Sequence, residues 1–340
     1  MADTSLVTGG AGFIGSHVTD ELINRGHRVV VLDDLSGGFA DNVNPQAKFV
    51  QGSVVDRELI DRLFTEHRFD YVFHLAAYAA EGLSHFIRHF NYTNNVLGSV
   101  NLINAAVNFE VKCFVFTSSI AVYGNASPPM TESQTPMPVD PYGIAKYAVE
   151  LDLAAAREMF GLNSIIFRPH NVYGIRQNTG DRYRNVIGIF MNQALRGQPL
   201  PVFGDGEQTR AFTDISDVAP AIARSIEIPA ACNQIFNIGA DTPCSVKTLA
   251  GKVQSALGTN TGLVHLDARE EVVHAFADHS QAKRILGYEP RTDLDEGLKI
   301  MADWVKATGP RQSQEFGQIE ITKNLPPAWS QSPGGSSPAR

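Results

Sequence analysis

The sequence predicts an α/β fold, a doubly wound parallel sheet carrying a smaller α/β lobe, and three observations predict it. Short β-branched runs alternate with longer helical periods from the N-terminus to about residue 170. A glycine-rich turn separates the first of those runs from the first helical period. Beyond Asn171 the alternation weakens into a stretch rich in Arg, Gly, Gln and Asp that runs to about Asp217, where a lobe begins over the carboxyl ends of the strands.

Taken in order, the first strand is expected at 5–8, directly before the glycines, and the first helix at 14–25. The continuous apolar run Val29-Val30-Val31-Leu32 makes 28–32 a second strand, buried on both faces. A strand at 48–51, a helix at 56–67 and a strand at 71–74 follow, then a helix at 90–109. Another apolar run centres a strand at 113–117, after which come a helix at 142–160 and strands at 164–168 and 234–238. Helices at 245–257 and 294–308 complete the lobe. Every parallel crossover should be right-handed. The expected organisation is a body over 1–170 with strand and helix returns from about 211–240, a lobe over most of 171–310, and a tail over 311–340. The last ten residues of that tail, mostly Ser, Pro and Gly, are expected to be disordered.

At 43% hydrophobic and 19% charged, the chain has apolar material for a sizeable core, which excludes a wholly disordered protein. Its longest apolar runs are several times shorter than the ~20 residues of a membrane-spanning helix, so a soluble protein with no membrane partner is expected. The start Met-Ala-Asp-Thr-Ser lacks a basic leader, so the expected location is cytoplasmic. Cys113, Cys232 and Cys244 are too few and too scattered for a disulfide framework or a zinc site, and no metal is expected. A net charge of -8 argues against nucleic acid as a partner. A few local arginines still allow an anionic small ligand.

The turn Thr8-Gly9-Gly10-Ala11-Gly12-Phe13-Ile14-Gly15 gives each spaced glycine a task. Gly9 permits the tight turn, Gly12 lets backbone approach a pyrophosphate, and Gly15 lets helix and strand pack closely. The helix N-terminus behind them suits a diphosphate. Asp33 and Asp34 end the second strand about 20 residues on, where a carboxylate accepts hydrogen bonds from ribose hydroxyls and repels a 2′-phosphate. This favours NAD over NADP. Further along, Ser119 follows the strand at 113–117, and Tyr142 and Lys146 stand four apart on one helical face. An ammonium one turn away lowers a tyrosine pKa from ~10, so that Tyr142 can act as a general base while Ser119 holds the same substrate hydroxyl.

With these residues the sequence resembles the extended short-chain dehydrogenase/reductases, and within them the nucleotide-sugar epimerases and dehydratases. The resemblance runs from Leu6 to about Trp304 and includes His74-Leu75-Ala76-Ala77, Asn94-Asn95-Val96-Leu97-Gly98-Ser99, Ser118-Ser119-Ile120-Ala121-Val122-Tyr123-Gly124, Arg168-Pro169-His170-Asn171-Val172-Tyr173-Gly174 and the run from Val202 to Arg210. It implies a Rossmann-type body holding NAD against Gly9, Gly12, Phe13, Ile14, Gly15, Asp33, Asp34, Leu35 and Ser36. Ser53 stands where many relatives carry an aspartate that reads the adenine amine, with Val54 beside it. Leu75, Ala76, Ala77, Asn95, Thr117, Tyr142, Lys146 and Pro169 complete the implied cofactor set.

For substrate the resemblance implies Ser119 and Tyr142 at the sugar, Asn171 at the diphosphate or sugar, Asn185 and Val186 opening a helix against the phosphates, Val202 and Phe203 over the base, and Arg210 on phosphate. A second family arginine would fall ten residues before Asp278, at Ala268, which leaves Arg269 one place off register. The dehydratases carry an Asp-Glu pair, the decarboxylases a Glu and the 3,5-epimerases a Cys just after the catalytic Ser or Thr. Here Ile120 and Ala121 stand there, and neither is an acid or base. The resemblance therefore implies C4 inversion of a UDP-hexose or UDP-hexuronic acid through a transient 4-keto sugar, with NAD regenerated each turnover. The alternatives are a dehydratase, an epimerase at another carbon, a 4-ketoreductase or a non-catalytic NAD sensor.

The segment Tyr78 to His85 does not match the UDP-galactose 4-epimerases, and its Glu81 is a candidate extra acid/base. Arg88, His89, Arg176, Arg182 and Arg184 are either a solvated loop surface or a basic supply to the sugar pocket. Family dimers pair through helices at 91–108 and 142–159, so the resemblance also implies a homodimer. In the tail, Lys323 to Trp329 sets a leucine and a tryptophan around a stiff Pro-Pro pair, fit to dock on the body or on a partner.

Overall fold

Strands β1 (Thr4–Thr8), β2 (Arg28–Asp33), β3 (Lys48–Gln51), β4 (Tyr71–His74), β5 (Cys113–Thr117) and β6 (Ser164–Pro169) pair in parallel with a seventh strand, Ile235–Ile238, in a computed structural model of the chain. The structure describes residues 2–181, 183–268, 272–311, 316–317, 319–326 and 329. Across the seven-stranded sheet the order is Ile235–Ile238, β6, β5, β4, β1, β2, β3. The order reverses between β1 and β4, which opens a crevice beyond the carboxyl ends of those strands. The predicted α/β fold class is the one observed.

Period-two alternation divides the strand side chains between two cores. Val7, Val31, Phe73, Val115 and Phe167 meet the helices Phe13–Asn24 and Ile215–Arg224 on one face. Leu6, Val30, Leu32, Val72, Phe114 and Phe116 meet Arg57–His67, Gly98–Asn108 and Pro141–Phe160 on the other. Both faces are thus dry, which is why these strands read as unbroken apolar runs.

The helix expected at 90–109 is instead three pieces: Arg88–Tyr92, a π-helical turn Thr93–Leu97, and Gly98–Asn108. The π turn aims buried Asn95 at the loop after β4, where its Oδ1 accepts from the Tyr78 N–H at 2.8 Å and its Nδ2 donates to the Tyr78 carbonyl at 3.1 Å. The lobe has its own core, including Phe190, Met191, Val202, Leu249, Val253, Leu298 and Met301. Helices Val186–Leu195, Val246–Leu257 and Leu294–Thr308 surround it, with the short strands Leu200–Phe203, Thr209–Ala211, Pro243–Ser245, Leu263–Leu266 and His274–Ala275. The periodicity missed the strands of the lobe, while the helix Ile215–Arg224, which carries Pro220 in its interior, falls within the helix return expected from about 211–240. The described part of the tail docks on the body, where Phe316, Ile319 and Trp329 join a cluster with Leu83, Ile87 and Phe90. The expected disorder of the last ten residues lies outside the described residues. Among the described residues no helix is long and apolar enough to cross a membrane.

Candidate active site

The glycine turn is packed as tightly as its task requires. Gly9 has φ +73°, and a Cβ there would lie 2.7 Å from the Ala76 backbone nitrogen. A Cβ on Gly15 would lie 2.1 Å from the Gly9 carbonyl oxygen. Gly12 caps the helix Phe13–Asn24 without a side chain, so the first-turn N–H groups behind half-buried Phe13 and Ile14 point into the crevice. At the end of β2, Asp33 accepts from the Ala11 N–H at 3.0 Å and the Leu35 N–H at 2.8 Å, and burial pushes its carboxyl above the ordinary range. Exposed Asp34 accepts from the Ser36 N–H at 2.9 Å. Ser53 accepts from the Val55 N–H at 3.3 Å, while Val54 is buried against Gly98. Leu75, Ala76 and Ala77 run half-buried from β4 into the crevice, and Pro169 ends β6 beside it.

Ser119 follows β5 by two residues and caps the 3-10 turn Ile120–Tyr123, its Oγ accepting from the Ala121 N–H at 3.1 Å. The same side chain acts on the Tyr142 phenol, favouring its ionised form. Asp140 caps the helix Pro141–Phe160 through the Gly143 N–H at 2.9 Å, and that helix presents Tyr142 and Lys146 one turn apart. Lys146 Nζ donates to the Thr117 carbonyl at 2.7 Å and lies 4.7 Å from the Phe116 ring centre.

Here the structure corrects the expectation that the ammonium lowers the Tyr142 pKa. Burial, followed by the Glu81 charge, pushes the phenol up, although Ser119 pulls it down. Burial likewise takes Lys146 down to about 7, against an upward pull from Glu150. Both shifts favour the uncharged forms. Periodicity missed the support behind them. Glu150, one turn past Lys146, accepts from Arg168 at 2.9 and 2.5 Å and from Ser118 Oγ at 2.5 Å. Arg168 also donates to the Tyr123 hydroxyl at 2.7 Å, which donates to Asn237 at 2.8 Å. The four-residue spacing of Tyr142, Lys146 and Glu150 is the sequence signal that could have found it.

Beside the turn that follows Ser119 a cavity is lined by Glu81, Ile120, Ala121, Asp140, Asn171 and Arg210, among others, though not by Ser119, Tyr142 or Lys146 themselves. Asn171 has φ +44°, and Asn185, with φ +61°, precedes the helix Val186–Leu195. Arg210 donates to the backbone carbonyls of Thr209, Val272 and Val273 at 2.6–2.9 Å, which anchors its strand to the neighbouring segment.

Several expected contacts look different in three dimensions. Val202 is fully buried in the lobe core, so only half-exposed Phe203 of that pair can face a base. Every amide atom of Asn95 is taken by Tyr78 and Asn91, so it braces the loop. Arg176 pairs with Asp20 at 2.6 Å. Arg184 pairs with Asp181 at 2.5 Å and lies over the Tyr78 ring. Arg88 and His89 are exposed. Arg182 and Arg269 lie outside the described residues.

A glycine cradle at the reversal point of the sheet, an acidic residue closing β2, and a Ser, Tyr and Lys cluster across the crevice define an enzyme that binds a nicotinamide dinucleotide. The residues fit that group: the cradle is one that added Cβ atoms would fill, and buried Thr117 Oγ1 at the crevice floor has no partner among the described residues. Residues 5–239 match the NAD dependent epimerase/dehydratase family, and the chain belongs to it. A putative UDP-glucose 4-epimerase of Methanocaldococcus jannaschii is 35% identical over 304 residues, covering 88% of this chain and 98% of that one. The crystal structure of a Thermotoga maritima UDP-glucose 4-epimerase with UDP-glucose superposes with a TM-score of 0.86 at 38% identity, over 90% of this chain and 99% of that one. A Bacillus cereus UDP-glucuronic acid 4-epimerase, solved with UDP-glucuronic acid and NAD, gives 0.83 at 28% identity, over 90% of this chain and 100% of that one.

Proposed function

We propose that this protein inverts C4 of a UDP-hexose or UDP-hexuronic acid. The observation that carries the reading is the cavity wall beyond Ser119, where Ile120 and Ala121 offer no acid or base for elimination or for inversion beside the carbonyl. Tyr142 Oη exchanges the proton of the sugar 4-hydroxyl, and Ser119 Oγ orients that hydroxyl. Lys146, held by the Thr117 carbonyl, places its amino group 5.8 Å from the centre of the Tyr142 ring. Bound NAD supplies a hydride acceptor and donor. Asn171 and Arg210 serve the diphosphate side, with Asn185 and Val186 at the opening of their helix and Phe203 at the base.

The body over 1–170, with its return at about 211–240, holds the cofactor in this reading, and the lobe over 171–310 holds the substrate. A homodimer and a cytoplasmic location belong to the same proposal. Leu97, Ile144 and Leu151 are exposed apolar residues on the helical faces that would pair. One observation favours a second reading, chemistry at another carbon: Glu81 opens onto the cavity.

The test is incubation of the purified protein, without added cofactor, with UDP-, GDP- and dTDP-hexoses and UDP-hexuronic acids in deuterated water. A C4-inverted product without deuterium or mass change is expected, and Tyr142→Phe should abolish it while retaining NAD. Loss of water or carbon dioxide, or deuterium at C3 or C5, would overturn the assignment, as would normal turnover by Tyr142→Phe.

A further inference from the structure

We infer that Phe316, Glu320, Ile321 and Trp329 of the C-terminal tail form a positioning element of the sugar site, clamping the loop that carries Glu81 beside Tyr142. The inference rests on the nucleotide-sugar reading above. Two independent sets of contacts make the clamp. The first is polar. Glu320 accepts from the His89 N–H at 2.7 Å and the Phe90 N–H at 2.8 Å, opening a short helix whose own cap residue, Ile87, offers no acceptor. The backbone N–H groups of Glu320 and Ile321 donate to the Phe86 carbonyl at 2.9 and 3.1 Å.

The second set is aromatic. Phe316 packs edge-on against Phe90 at 4.8 Å and lies 5.3 Å from the Tyr78 ring. Trp329 lies edge-on to Phe86 at 6.0 Å and to Tyr183 at 5.7 Å. It also covers the backbone next to Glu81, since a Cβ on Gly82 would lie 3.1 Å from the indole.

The clamped loop is tied directly to the catalytic helix. Ser84 Oγ accepts from the Tyr142 N–H at 3.2 Å and donates to the Glu81 carbonyl at 2.5 Å. Asn91 donates to the Pro141 carbonyl at 2.9 Å. Glu81 lines the sugar cavity with Asn171 and Arg210, and its charge acts on the Tyr142 phenol. A displaced loop therefore alters both the wall of the cavity and the electrostatics of the base. The Thermotoga maritima structure covers 90% of this chain and 99% of its own, so about a tenth of this chain is additional to that relative.

The test uses the full-length protein with its retained NAD and whichever nucleotide sugar the wild type converts. Glu320→Ala and Trp329→Ala should each lower kcat/KM, by up to about a hundredfold for a displacement near 1 Å, with NAD content unchanged and Trp329→Phe restoring most of the loss. Glu81→Gln is then made alone and with Trp329→Ala. In the proposal its effect on KM shrinks toward none in the Trp329→Ala background, because Glu81 has already left the cavity. Full kcat/KM in the tail variants, or an undiminished Glu81→Gln effect on top of Trp329→Ala, would overturn it. If the wild type converts no nucleotide sugar, the proposed reaction fails instead. Amide exchange over 78–92 then decides the clamp: faster exchange in Trp329→Ala supports it and unchanged exchange refutes it.

Discussion

Glu150→Gln tests whether the site rests on a buried ion pair. The Glu150 and Arg168 side chains are 3% and 2% exposed and meet at 2.5 Å. Glutamine keeps the size of the side chain but turns an amide N–H group toward a guanidinium that can only donate. The Arg168 charge then stays buried without its counter-charge. Breaking one partner of a buried pair costs about 3–5 kcal/mol, a large share of the ~5–15 kcal/mol that holds a folded protein. At about 2 °C per kcal/mol for a chain of this length, the melting temperature should fall by roughly 6–10 °C. Urea and thermal unfolding followed by far-ultraviolet circular dichroism at pH 7.5 measure both quantities. The double variant Glu150→Leu/Arg168→Met should lose less than the single one, because it leaves no unpaired charge. The substitution also removes the upward pull on Lys146, so any limb of the pH–rate profile set by Lys146 should move to lower pH. A loss below about 1 kcal/mol, the worth of a solvent-exposed pair, would refute the argument, as would a limb that moves to higher pH.

Asp33→Ala should release NAD from the purified protein, because the carboxylate closes β2 and also ties the Ala11 and Leu35 N–H groups of the two turns it joins. Cofactor retained at the wild-type level after gel filtration would remove the ribose assignment. Acid should destabilise the fold through two buried histidines, since His74 and His170 each sit at about 3 rather than the ordinary 6.5. Below pH 6.5 the unfolded chain takes up protons that the folded one refuses, so stability is complete above 6.5 and falls as pH drops toward 3. At about 1.4 kcal/mol per unit the loss approaches 3 kcal/mol per histidine by pH 4.5. Urea midpoints at pH 7.5 and 4.5 check this; His74→Gln should lose less, and a wild-type midpoint that stays flat contradicts the burial argument.

The sheet was legible because strands covered on both faces must be apolar throughout. β3, β4 and β5 occupy the residues the sequence predicts, end for end. The π turn at Thr93–Leu97 was not legible, since one extra residue in a helical turn barely disturbs a 3.6-residue pattern. Strands of two or three residues such as Thr209–Ala211 and His274–Ala275 carry no measurable period at all. At the site, Ser119, Tyr142 and Lys146 showed themselves through spacing along one strand end and one helix. Spacing set Lys146 beside Tyr142 but was silent on burial, which is the largest influence on the phenol. Arg176 and Arg184 looked alike as loop cations. Only the fold sends one to Asp20 and the other to Asp181.

The reacting groups and the groups that would select the sugar stand on physically different supports. Ser119, Tyr142 and Lys146 sit on a sheet strand end and a 20-residue helix, fixed by ladder bonds and by the Glu150–Arg168 pair behind them. Glu81 sits on a four-residue helical turn between two loops, with no ladder to hold it. Such a segment keeps one conformation only if something outside it satisfies its backbone and covers its apolar side. Asn95 does the first at Tyr78, Glu320 does it at His89 and Phe90, and Phe316 and Trp329 supply the cover. The loop and the tail are therefore one mechanical unit. Substitutions that alter sugar preference while leaving NAD binding intact should map to residues 78–92 and to Phe316, Glu320 and Trp329 rather than to the sheet.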